Sequence, residues 1–169
     1  MLRWLAEKIA STSPRAATVL SGVVRDQMPG ADDEAARIVA SIAGLLGTVA
    51  YADRTYAPVE EHRIKQELGR VQGLAPAGVD AICRVLREHI VEISTVEAPV
   101  YARELLDLAH RDLRLQVLEA LVDLAAADDE LTIAETNVLR LTTTALGLTQ
   151  ADYNACQARH RDKLRVLRD

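Results

Sequence analysis

Apolar residues at spacings of three and four, with no run of strict alternation, constrain this chain more than any other feature. Val79, Ile82, Cys83, Leu86, Ile90 and Ile93 fall on one stripe of a helix. No segment shows the two-residue period of a half-buried strand. There is no Phe, and aromatics make up only 3% of the chain, so the core must be built from Leu, Val, Ile and Ala. That composition favours helix over sheet. At 169 residues, 49% of them hydrophobic, the chain can bury a core of its own. The expected fold class is all-α, a single-domain bundle of about seven to eight helices joined by short turns.

Turn and cap residues divide the chain. Residues 1–30 form a lead segment in which Leu2, Leu5 and Ile9 line one face of a short helix, with Trp4 beside them. Pro14, Pro29 and Gly30 punctuate the remainder of that segment. Residues 31–169 make up the helical domain. Asp32 or Asp33 suits the N-cap of a helix over 34–52, and Pro58 the first position of a helix over 58–72 that Gly73 ends. A break is expected at Ser94 and Thr95. Further helices are expected over 99–110, 112–127, 133–146 and from 150 onward. The longest apolar stretch, 38–52, is shorter than the roughly 20 residues a membrane span needs. It reads as the buried centre of the bundle.

One helix–turn–helix unit is written twice. Ala52-Asp53 with Glu60 and Ile64 recurs 75 residues on as Ala127-Asp128 with Glu135 and Leu139. Gly73-Leu74 recurs as Gly147-Leu148, 74 residues on, so the second copy is one residue shorter. Two copies are too few for a solenoid. They read as a helix pair duplicated inside one domain.

The acidic turns admit two readings. In the first, the carboxylates are local: Thr132 and Glu135 form a capping box, and Glu60 and Glu61 sit in a first helical turn where the dipole favours negative charge. In the second, Asp53, Glu60, Asp128, Asp129, Glu130 and Glu135 supply hard oxygen ligands for a divalent cation, calcium or magnesium. The turns are too short for an EF-hand and lack its D-x-[DN]-x-[DN]-G pattern.

These residues resemble the TerB (tellurite-resistance) family. The family pattern is an apolar helix ending in Ala-Asp-Gly, a turn, a Glu opening the next helix and a closing Gly-Leu, present twice. Here it appears as Tyr51-Ala52-Asp53 with Glu60, Ala126-Ala127-Asp128 with Glu135, and Ala145-Leu146-Gly147-Leu148. It covers roughly residues 35–155. Where the family carries Gly after each Asp, this chain has Arg54 and Asp129. Arg54 stands where it can pair with Asp53 or fill a cation's space. The resemblance implies an all-helical fold, a cytoplasmic bacterial setting, a link to stress or metal-ion responses, and cation binding at the acidic turns. It also implies an interaction role like that of related domains at the front of membrane-anchored DjlA co-chaperones.

Other chemistry finds little support. A net charge of −5 argues against nucleic-acid binding, which needs a basic face. His62, His89, His110 and His160 lack zinc-ligand spacing and read as solvated or capping residues. No phosphate loop, nucleophile elbow or Cys–His signature is present, so the chain is not expected to be an enzyme. Cys83 and Cys156 read as reduced core thiols. Glu7 and Lys8 interrupt the first apolar residues, which therefore make no signal segment. A protein partner is expected. Contact with a membrane surface through Leu2, Trp4 and Leu5 or the basic end after Arg159 is the lesser alternative.

Overall fold

A computed structural model describes residues 15–128 and 131–168; for residues 15–19, 128 and 163–168 only the backbone is described. The lead helix expected around Leu2, Trp4, Leu5 and Ile9 lies outside the described residues, as do Asp129 and Glu130. The described chain is α-helical: α1 (Arg15–Gln27), α2 (Asp33–Ala50), α3 (Pro58–Leu68), α4 (Pro76–Glu92), α5 (Ala98–Leu108), α6 (Arg111–Ala125), α7 (Ile133–Ala145) and α8 (Gln150–Arg168). A π-turn, Ile93–Glu97, fuses α4 to α5, so these eight stretches form seven separate rods. The bundle expected from the spacing is the bundle observed.

The apolar stretch 38–52 becomes α2, the central rod. Twelve of its 18 residues are buried. It touches every other described helix except α8 at close range. Two glycines permit that crowding. A Cβ on Gly44 would lie 2.4 Å from the Tyr101 ring, and one on Gly47 would lie 3.0 Å from Leu86. Asp32, rather than Asp33, caps the helix, accepting from the Ala35 amide at 2.7 Å. α1, within the lead segment, packs on α2 and α4 and buries Leu20 and Val24, and Met28 just beyond its end is buried too.

α4 and α5 depart from expectation. Ser94 and Thr95 do not break the helix; it widens there instead. Pro99 has no N–H to donate and its ring crowds the carbonyl four residues back, so the preceding turn opens into a π-turn. The hydroxyls of Ser94 and Thr95 bond back to the carbonyls of Ile90 and Val91 at 2.7 and 2.6 Å. His89, at φ −122° and ψ 18°, adds a kink just upstream.

α3 is also shorter than expected. It stops at Leu68, and the chain reaches Gly73, at φ +87°, only through further turns. α7 ends more tightly. Gly147, at φ +68°, donates to the Thr144 carbonyl and Leu148 to that of Thr143, both at 3.0 Å. That is a Schellman closure, and it needs the left-handed glycine. Leu74 and Leu148, each next after its glycine, are both buried.

Candidate functional site

The first acidic turn holds itself together. Asp53 Oδ1 accepts from the Thr55 amide at 2.9 Å, a local turn in which the carboxylate replaces a backbone acceptor. Arg54 has φ +67°, the left-handed region that costs a residue with a Cβ roughly 1–2 kcal/mol. This explains the family's glycine at that position. Among the described residues no ion pair joins Arg54 to Asp53, so the pairing expected from sequence is not observed.

Glu60 Oε2 accepts from the Ala57 amide at 2.9 Å, closing the cap of α3 from one side. Ala57 has no oxygen to return the bond, so this is half a capping box. The neighbouring Glu61 is tied across to α4, where Arg87 donates to it at 2.6 and 3.3 Å. Lys65 and Asp80 repeat that α3–α4 link at 2.9 Å. Tyr56 packs between these elements with its buried hydroxyl unpartnered, and burial pushes its pKa up. Burial likewise pushes the Cys83 thiol up to about 11. Cys83 and Cys156 are both free and buried, which is the inert environment expected of core thiols.

The second turn carries the complete device. Thr132 Oγ1 accepts from the Glu135 amide at 3.1 Å, and Glu135 Oε2 accepts from the Thr132 amide at 2.8 Å. The local reading of these two residues is therefore what the geometry contains. The backbone before them leaves α6 through a short 3-10 turn, Ala126–Asp128. The Asp128 side chain lies outside the described residues.

The carboxylates of the first turn each have a partner within the chain. Asp53 and Glu60 each serve backbone amides, Glu61 serves Arg87, and Arg54 stands beside them. Among the described residues no group of three or more His, Cys, Asp or Glu side chains converges. The structure thus does not bring Asp53, Glu60 and Glu135 together.

The histidines fall into the expected roles in part. His110 caps α6, its Nδ1 accepting from the Leu113 amide at 3.2 Å. His160, which is neither solvated nor a cap, packs its Nδ1 2.8 Å from Asp123 on α6.

Two features escaped the sequence reading. Glu97 is buried in the π-turn, accepting the Tyr101 hydroxyl at 2.7 Å. Burial pushes its carboxyl above the usual range, and the Tyr101 hydrogen bond opposes only part of that rise. The signal was available: Ile90, Ile93, Glu97 and Tyr101 follow one helical stripe, and Glu97 is the acidic residue on it. The second feature is an apolar groove of about 370 Å³ between α5, α7 and the π-turn, with Leu141 on its rim. Its signal is Val138 and Leu141, apolar residues off the stripe that buries Leu139 and Thr142.

Fold and site together define an all-α bundle in which Glu60 and Glu135 accept from the cap amides of their helices. A family model described as Tellurite resistance protein TerB matches residues 39–158, well over half of the chain. The chain belongs to that family. Its members are non-catalytic, stress-related proteins, and this chain is not an enzyme. No curated protein and no solved structure matches it. Among the described residues no helix is long and apolar enough to cross a membrane.

Proposed function

We propose that this chain is a metal-independent protein–protein interaction module of the TerB family, acting in the cytoplasm in stress or tellurite responses. One observation carries the reading. The described carboxylates of the acidic turns are engaged by the chain's own amides and arginines, and no ligand group forms among them. The test is capture of partners by the immobilised chain in EDTA and in millimolar calcium plus magnesium. The same proteins should be captured in both. Capture that requires the cation would overturn the reading.

The other reading, a divalent cation at the turns, keeps one supporting feature. Asp128, Asp129 and Glu130 stand consecutively ahead of Glu135. A site would have to rest on them, since Asp53 and Glu60 are committed to their own turn.

We also read the two turns as copies of one ancestral helix pair. Glu60 to Ala57 and Glu135 to Thr132 are the same bond at the same offset. The buried positions Leu46, Val49 and Ile64 correspond to Leu121, Leu124 and Leu139. Grafting residues 53–60 in place of 128–135 should leave a cooperatively folding chain. Loss of the cooperative transition would count against common origin.

A further inference from the structure

The joint between α4 and α5 gathers three irregular features along one stretch of chain: the kink at His89, the π-turn Ile93–Glu97 and Pro99 just after it. Prolines and π-turns are where a helix bends rather than runs straight on. Within the joint sits Glu97, only 3% exposed. Its bond partner among the described residues is a neutral group, the Tyr101 hydroxyl, at 2.7 Å. The Tyr101 ring lies against Gly44, so this bond helps to lock the joint onto the central rod.

The π-turn packs against α4, α5, α2 and α1. α4 brings His89 and Glu92, whose charges act on the carboxyl in opposite senses, and α5 brings Tyr101. α2 carries no titratable residue over 38–50. The charged residues of α1 are Arg15, whose side chain lies outside the described residues, Arg25, which pairs with Asp33, and Asp26. A carboxylate ionised in place would sit in the core with Tyr101 as its bond partner and Glu92 as a second negative charge. Such a group lowers its free energy by keeping its proton or by moving to water. The turn offers the second route. Its neighbour Val96 is 68% exposed, and a slip of one residue, about 100° around the helix, carries Glu97 from the core side towards water.

We propose that Glu97 is a proton-operated latch: with its carboxyl neutral the π-turn is closed on α2, and with the carboxyl ionised the turn opens and releases Tyr101 from Gly44. Linkage fixes the sense. Glu97 keeps its proton to higher pH when buried than when exposed, so between the two values each pH unit favours the open form by up to about tenfold. Ser94, Thr95 and Ala98 line the α5–α7 groove, so the wall of that groove moves with the joint.

Amide hydrogen exchange of the full chain from about pH 5 to about pH 8, corrected for its intrinsic dependence on pH, reads this local opening. Protection of residues 89–101 should fall by about tenfold or more as pH rises, while that of α6 and α7 holds. Glu97→Gln keeps an oxygen for the Tyr101 hydroxyl and cannot ionise, so it should abolish the fall. His89→Asn and Arg15→Gln should retain it. A second measurement needs no variant. With isotope-labelled glutamate carboxyls, one resonance of the wild type should titrate above the rest, over the interval in which the joint opens. Unchanged protection of residues 89–101 would overturn the proposal. So would an equal fall in α6 and α7, which is loss of global stability rather than opening of the joint. A fall that survives Glu97→Gln, or that vanishes in His89→Asn or Arg15→Gln, would assign the titration elsewhere and overturn the latch. Glutamate resonances that all titrate together would do the same.

Discussion

The two helix–turn–helix units, α2–α3 and α6–α7, share a written pattern but hold opposite places in the bundle. α2 is the hub, so its positions meet other helices on most sides. α6 buries one face and lays the other open to ion pairs. Gly44 and Glu119, 75 residues apart, make the point. Gly44 lies beneath the Tyr101 ring, whereas Glu119 pairs with Arg159 of α8. The same register position is a steric requirement in one unit and a solvated contact in the other. The pattern fixed the local turn, while neighbours decided what each position can tolerate.

The largest effect should therefore come from Gly44→Ala. A Cβ 2.4 Å from a fully buried ring cannot be absorbed by a small shift, and overpacking of this kind costs about 3 kcal/mol. Glu119→Ala should cost about 0.5 kcal/mol or less, as exposed ion pairs contribute little. Urea denaturation of both variants measures the contrast. Equal losses would mean that the two units are equivalent in energy as well as in pattern.

Tyr101 also binds Glu97, and that pair predicts a pH effect confined to the hub side. Burial holds the folded carboxyl above its unfolded value of about 4.5, so the folded chain keeps this proton to higher pH. Stability from the group is full below the unfolded value and is lost as pH rises through the folded one. Glu97→Gln keeps an oxygen for the Tyr101 hydroxyl and should flatten the fall in stability across that window. A Tm–pH curve parallel to wild type would remove Glu97 as its source.

The caps should give effects of about 1 kcal/mol. Thr132→Ala deletes the side-chain half of a complete box and should destabilise by about that much. Ala57 already has the extended cap conformation, φ −87° and ψ 159°. Ala57→Ser should thus complete the box of the first unit and gain about 0.5–1 kcal/mol. Thermal melts of the two variants should move in opposite directions. A destabilised Ala57→Ser would show that the first turn has no room for the reciprocal bond.

Much of this was legible in the sequence because it is local. Asp32, Pro58, Thr132, Glu135 and Gly147 act on residues within a turn of themselves, and each stands where its chemistry required. The π-turn was not legible. Pro99 read alone predicts a helix start, and only the packing of Ile93 and Glu97 into the core keeps the chain helical upstream. The end of α3 was misplaced for a similar reason: Gly73 is left-handed as expected, but the helix had already stopped at Leu68. Convergence of the carboxylates is long-range, and no local spacing could have decided it.

Arg54→Gly should be smaller. Relief of the left-handed strain, roughly 1–2 kcal/mol, is offset by about 0.5–1 kcal/mol for glycine's greater freedom in the unfolded chain. The net gain should be about 0.5 kcal/mol, read as a higher urea midpoint. No gain would mean that Arg54 makes a contact that offsets its strain.

The smallest expected effect separates the two turns most sharply. A cation that binds only the folded chain stabilises it by RT ln(1 + [L]/Kd), about 2.7 kcal/mol at a hundredfold excess over Kd. With Asp53 and Glu60 engaged by the amides of Thr55 and Ala57, millimolar calcium or magnesium should leave the Tm of the wild type unchanged. Asp53→Asn removes the Thr55 bond's charge and should lower Tm slightly, with or without cation. Asp128→Asn removes one of three consecutive acidic residues, so relief of repulsion should leave Tm unchanged or slightly raised. A wild-type Tm that rises with either ion, and stops rising in Asp128→Asn but not in Asp53→Asn, would place a cation at the second turn alone. That outcome would overturn the metal-independent reading while leaving the assignment of the first turn intact.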